Sequence, residues 1–229
     1  MALQIGFLLF PRVQPLDIAG PYDVLASMPD NSVRLVWKTR DAVVSATGMV
    51  LVPDTTFDDC PPLDVLCVPG GSGVGDLLQD DETLAFVRSQ GERARYITSV
   101  CTGSLVLGAA GLLRGRRATT HWAFHELLEP FGAIAVHGRV VRDGNLFTGG
   151  GITAGIDFAL ALAAELAGDE AAQALQLGLE YAPAPPFNAG SPDTAPRAIV
   201  ERVRAANAES LAARTRVVAN AAARLRLAP

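Results

Sequence analysis

Short apolar runs alternate with longer helix-compatible stretches along most of this chain, and that alternation restricts the fold more than any other feature. The runs are "QIGFLLF", "VRLVWKT", "DVLCVPGG", "RYITSVC", "RATTH" and "RVVRDGNLFTGGG". The helix-compatible stretches are "GPYDVLASM", "ETLAFVRSQGERA", "GSLVLGAAGLL", "WAFHELLEPFG" and "TAGIDFALALAAELAG". Runs that are apolar almost end to end belong to strands buried on both faces, so the expected fold is α/β, with a mostly parallel sheet and helices on both faces. "GSLVLGAAGLL" and "TAGIDFALALAAELAG" are apolar nearly all round and are expected against the sheet. Asp143-Gly144, between two β-rich arms, predicts a hairpin turn.

The chain has 229 residues, 49% hydrophobic and 19% charged, enough for one α/β domain with an appendage. The break falls at "YAPAPPFNAGSPDTAP", where Pro183, Pro185, Pro186, Pro192 and Pro196 forbid a regular helix. We therefore expect a domain over residues 1–190 and a helical extension over 191–229. In the extension, Ile199, Val203, Leu211, Val218 and Leu225 fall near one face of a long helix. That stripe needs a partner, either the body of the protein or a second subunit.

A net charge of -5 argues against nucleic acid and anionic membrane as partners and favours a small neutral or apolar ligand. The first apolar run is broken by Gly6 and Pro11, so it reads as a core strand rather than a leader or a membrane span. Cys60, Cys67 and Cys101 are odd in number and lack the paired spacing of a zinc site. They point to reduced thiols in a cytoplasmic protein without a disulfide framework.

Cys101 stands between "RYITSV" and "TGSLVLGAAGLL", at the carboxyl end of an expected strand, where open parallel sheets bind ligands. A tight strand-to-helix turn there lifts the sulfur away from packing, and N–H groups at the helix start favour the thiolate. The Thr102 N–H would lie beside the atom attacked. The same position also suits an inert buried cysteine, which is how Cys67 reads; Cys60 reads as a loop residue.

Asp17, in "PLDIAGP" at the end of the first strand, fits either an acidic partner of the thiol or the cap of a helix begun near Gly20 and Pro21. His121, at the end of "RATTH", fits a pocket wall or a polar rim; His125 is expected in an amphipathic helix and His137 in a strand. Gly70 and Gly71, in "PGGSGVGD", offer closely spaced N–H groups to a small anionic centre. "GGGITA", with Gly150 and Ile152, formally fits a dinucleotide-binding pattern. Glu165, the acidic residue at about the right distance, falls inside a helix, so the glycines read instead as close packing beneath a pocket.

Taken together, "PLDIAGPYDVL", "DVLCVPGG", "SVCTGSLVLGAAGLLRGRRATTHW" and "GGGITAGIDFALALA" resemble the DJ-1/PfpI superfamily and, within it, the isonitrile hydratase branch. The resemblance runs to about residue 190, and "PPFNAGSP" looks like that branch's C-terminal arm. It implies a flavodoxin-like doubly wound fold, a homodimer, and a cofactor-free and metal-free site that hydrates an isonitrile to an N-substituted formamide. It makes Cys101 the nucleophile in a strained elbow and Asp17 the acidic partner. Gly71 and Thr102 would supply N–H groups, and Ile152 would pack near the cysteine. Asp17 and Thr102 stand where protease-like and deglycase-like members carry glutamate and histidine. The competing expectations are a ligand or redox sensor, or glyoxalase-like activity on small aldehydes. Similar domains form the sensing half of AraC-type regulators, whose DNA-reading domain has no space after residue 190 here.

Overall fold

The computed structural model describes residues 2–227. Its strands are β1 (Leu3–Leu8), β2 (Asn31–Trp37), β3 (Val43–Val44), β4 (Val50–Leu51), β5 (Thr55–Thr56), β6 (Val65–Val68), β7 (Tyr96–Val100), β8 (Arg117–Ala118), β9 (Ile134–Ala135), β10 (Val140–Asp143) and β11 (Leu146–Gly149). Seven of them form one sheet in the order β10-β11-β7-β6-β1-β2-β5. All pairs in it are parallel except β10 with β11. The inner order β2-β1-β6-β7-β11 is the flavodoxin-like doubly wound arrangement, whose direction of winding reverses between β1 and β6.

β6 and β7 are buried at every position, which is why their sequences, "VLCV" and "YITSV", carry no polar alternation on a solvent side. Helices α1 (Pro15–Ala26), α5 (Ala154–Ala167) and α6 (Asp169–Gly178) pack together over one face. Over the other lie α2 (Val74–Leu77), α3 (Asp81–Arg93), α4 (Gly103–Ala109) and the distal half of α7 (Arg197–Leu227). α5 buries Ala154, Phe158, Ala159, Leu162 and Ala163, a helical stripe, whereas α4 is buried on every side. α3 starts at Asp80, whose carboxylate accepts the Thr83 N–H at 3.3 Å and its hydroxyl at 2.8 Å.

Several local expectations are corrected. α1 starts at Pro15, not near Gly20, because a proline in the first turn gives up an N–H that has no helical partner there. Asp17 therefore lies inside that turn and is not the cap, which is Gln14. "WAFHELLEPFG" forms two 3-10 segments, Trp122–Leu127 and Glu129–Phe131, rather than an amphipathic α-helix. "RATTH" contributes only β8, which pairs with β9 outside the main sheet, and His137 lies in a loop rather than a strand. The hairpin of β3 and β4 and the separate helix α6 were not foreseen. In the C-terminal helix, Val218 is buried, Leu211 and Leu225 are partly buried, and Val203 remains exposed. Among the described residues no helix is long and apolar enough to cross a membrane.

Candidate active site

The reversal of winding leaves a crevice at the carboxyl ends of β1 and β6, and three segments converge on it. After β1 the chain enters α1 with Asp17; after β6 come Gly70 and Gly71; after β7, Cys101 and Thr102 lead into α4. Val13 and Gln14 meet the glycine pair: Gln14 N–H donates to Gly70 O at 2.8 Å, and Val13 bridges Gly71.

Cys101 adopts φ 53°, in the left-handed region that non-glycine residues rarely enter. A conformation of this kind costs about 1–3 kcal/mol and persists only where the surroundings impose it. Here the Cys101 N–H donates to Gly149 O at 3.0 Å. Its carbonyl accepts the hydroxyls of Thr120 at 2.8 Å and Ser104 at 3.3 Å. The next turn is pinned from below by Gly103: a Cβ there would overlap the Val68 and Pro69 carbonyl oxygens, so only glycine lets α4 start against the end of β6.

The sulfur is nearly enclosed, Cys101 being 7% exposed. Burial pushes its thiol up and the charge of Asp17 adds to the rise; Thr102, through its N–H and hydroxyl, and the Arg214 guanidinium pull it down. Asp17 is fully buried and burial pushes its carboxyl up to about 7, against the opposing effect of the Gly70 N–H. Oδ2 accepts that N–H at 2.8 Å, while Oδ1 is buried without a partner among the described residues. A carboxyl with such a pKa exchanges its proton near neutral pH, which suits acid and base work in one cycle.

The structure brings Cys101, Asp17, Thr102, Gly70 and Gly71 together, and corrects what the two glycines do. The Gly71 N–H is donated to Thr102 Oγ1 at 3.2 Å and the Gly70 N–H to Asp17, so neither is free to meet charge on a ligand. Their contribution is to orient the threonine hydroxyl and the carboxyl.

His121, Gly150 and Ile152 instead line a neighbouring cleft of about 470 Å³, together with Thr120, Trp122 and His137. Thr120 belongs both to that cleft and to the Cys101 elbow, so one wall of the cleft backs onto the sulfur's peptide. His121 caps the Trp122–Leu127 segment, its Nδ1 accepting the Ala123 N–H at 3.3 Å, and burial, with the charge of Arg214, lowers its pKa. Gly150 donates its N–H to Arg139 O at 2.9 Å, and Ile152 sits in the turn before α5. His125 and His137 stack with ring centres 3.7 Å apart. Cys67 is sealed in the sheet, where burial pushes its thiol up to about 12, and Cys60 lies half-buried in a loop.

Two site neighbours escaped the sequence reading. Thr120 lies in the quoted run "RATTH", but its hydroxyl's partner, the Cys101 carbonyl, is set by the fold. Arg214, on α7, reaches back to donate from Nη2 to Gly71 O at 2.7 Å, with its Cζ 4.4 Å from the centre of the Phe124 ring. The available signal was an arginine inside the apolar row Leu211, Val218, Ala221, Leu225, a place usually taken by an aliphatic side chain. Among the described residues no group of three or more His, Cys, Asp or Glu is placed to hold a metal ion.

The chain is similar to several known proteins. An isonitrile hydratase of Pseudomonas putida is 68% identical over 227 residues, covering 99% of this chain and 100% of the relative. The crystal structure of a ThiJ/PfpI family protein from Pseudomonas syringae superposes with a TM-score of 0.90 at 46% identity, covering 97% of this chain and 91% of that one. The HTH-type transcriptional regulator GbdR of Pseudomonas aeruginosa is 31% identical over 179 residues, 75% of this chain but 48% of the regulator. Residues 4–165, from within β1 to the last turn of α5, match the DJ-1/PfpI family, and the chain belongs to that family.

Proposed function

We propose that this protein is an isonitrile hydratase, an enzyme that converts a small isonitrile and water into an N-substituted formamide. The observation that carries the reading is the end-to-end 68% identity with the Pseudomonas putida isonitrile hydratase. The site chemistry supports it: a thiol in a strained elbow beside a carboxyl whose pKa lies near neutrality.

In the proposed reaction the Cys101 thiolate attacks the terminal carbon of R–N≡C while Asp17 delivers a proton to that carbon, giving the thioimidate R–N=CH–S–Cys101 and the Asp17 carboxylate. Asp17 then takes a proton from water as its oxygen adds to the carbon, and returns that proton to nitrogen. The adduct R–NH–CH(OH)–S–Cys101 collapses when its hydroxyl proton passes to Asp17 and the C–S bond breaks. R–NH–CHO leaves, and thiolate and protonated carboxyl are restored. Thr102, through its N–H and hydroxyl, steadies charge on the sulfur at both ends of the cycle. The cleft holding His121, Gly150 and Ile152 receives the R group.

We further infer a cytoplasmic homodimer. Three free thiols suit a reducing compartment, and the exposed first half of α7 is available to a second copy. The test is conversion of a simple aryl or alkyl isonitrile to its formamide by wild type, Cys101→Ala and Asp17→Asn. The expected result is turnover in the wild type and none in either variant. Absence of turnover in folded wild type across several isonitriles would refute the assignment, and full activity in Cys101→Ala would remove the covalent scheme.

A further inference from the structure

Arg214 breaks the pattern of its own helix. The residues that share its buried face are apolar, yet it carries a full charge to 8% exposure. Among the described residues no carboxylate forms an ion pair with it. A buried cation without a counter-charge is costly, and replacement by an aliphatic residue would ordinarily be no worse. The guanidinium is also held in a fixed place, by its bond to Gly71 O and by the Phe124 ring.

That place is tied to the Cys101 elbow through Gly71 and Thr102. Gly71 accepts from Arg214 while donating its own N–H to Thr102 Oγ1, and Thr102 follows Cys101 directly in the turn and lowers its thiol pKa through its N–H and hydroxyl. Arg214 and Cys101 feel each other's charge, and His121 feels that of Arg214. The titratable groups facing this spot are therefore Cys101 from the turn before α4, His121 from the loop before Trp122, and Asp17 from α1. Burial, and then the charge of Arg214, lower the pKa of His121, and burial keeps Asp17 protonated up to about pH 7. Below that pH, among these described residues, it is the sulfur that is able to supply a negative charge.

We propose that Arg214 is a positioning residue for Cys101: its buried cation is the counter-charge for the sulfur anion, and its hydrogen bond fixes the Gly71–Thr102 relay against which that anion sits. The proposal rests on Cys101 as the reactive thiol of the site, but not on the identity of the substrate. It also gives α7 a task in the site besides covering the sheet.

The test is the rate of Cys101 alkylation by iodoacetamide, read by peptide mass from pH 6 to 10, in wild type, Arg214→Lys and Arg214→Gln. Gln retains a donor for Gly71 O without the charge; Lys retains the charge without the planar fork. Gln is expected to slow labelling about tenfold at each pH below the thiol's midpoint, with Lys staying within about threefold of wild type. A Gln profile that overlies wild type overturns the proposal. So do Lys and Gln slowed alike, which is the signature of a purely structural role. A second measurement needs no variant. Wild type labelled at Cys101 alone with iodoacetate or with iodoacetamide carries nearly isosteric adducts, one anionic and one neutral. At pH 6, where Asp17 is protonated, the anionic adduct is expected to melt higher. An anionic adduct that melts at or below the neutral one overturns the proposal. Neither readout depends on isonitrile turnover, so failure of the hydratase assignment would be seen separately.

Discussion

Asn in place of Asp17, in a Cys101→Ala background so that the thiol does not titrate alongside it, reports directly on the buried carboxyl. In the folded protein that group titrates at about 7 instead of 3.8, because burial disfavours its charged form. Since the folded pKa lies above the unfolded one, the folded state holds its proton more tightly. The resulting stability is fully present below pH 3.8 and is lost as the pH rises through about 7. A displacement of roughly three units at about 1.4 kcal/mol each amounts to about 4 kcal/mol of stability lost between pH 4 and 8. Asn cannot titrate, so it is spared that loss. It carries instead a constant cost of about 1–3 kcal/mol, because its amide nitrogen replaces the unpartnered Oδ1. Urea unfolding of the two proteins from pH 4 to 8 should therefore show the Asn protein gaining about 4 kcal/mol on its parent, the gain concentrated below about pH 7. A difference that stays constant within about 1 kcal/mol over that range would refute the account of Asp17 as a carboxyl held protonated by burial.

Other expectations follow from single contacts. Gly103→Ala places a methyl against the Val68 and Pro69 carbonyl oxygens and should cost about 3 kcal/mol or prevent folding, as read by urea midpoint and soluble yield. Thr120→Val removes the hydroxyl that the Cys101 carbonyl accepts; it should lower stability by about 1–2 kcal/mol and slow alkylation of Cys101 as the elbow relaxes. Unchanged alkylation would show that the elbow holds without it. Asp80→Ala strips the α3 cap and one partner of Lys38, and a loss of about 1–2 kcal/mol is expected in thermal or urea unfolding. The alkylation rate of Cys101 should not change in that variant, since α3 takes no part in the elbow.

Much of the sheet was legible because its central strands are predominantly apolar and buried, and a run such as "VLCV" has no other comfortable place. Cys101 was legible for a related reason: it ends such a run and is followed at once by small residues that begin a buried helix. The start of α1 was misread through its two prolines. Both Pro15 and Pro21 lie in the helix, and only the first is at an end, so a rule that places proline at a helix start selected the wrong one. The destinations of the glycine N–H groups could not be read at all. Gly70 and Gly71 offer donors to any acceptor, and the identity of that acceptor depends on the approach of Asp17 and Thr102 from other segments. Arg214 was hidden for the same reason, since only the docking of α7 brings it to Gly71.

The contacts that complete the elbow also set when it can exist. Asp17 and Gly70 are 53 residues apart, and Gly71 and Arg214 are 143 apart. A chain made from its N-terminus at about 5–20 residues per second emits Cys101 roughly ten seconds before α7 is available. Until then the guanidinium is missing from the Gly71–Thr102 relay, and the cysteine is a thiol without its cation. The environment that makes this thiol special thus waits for a segment made well after every strand of the sheet it sits on.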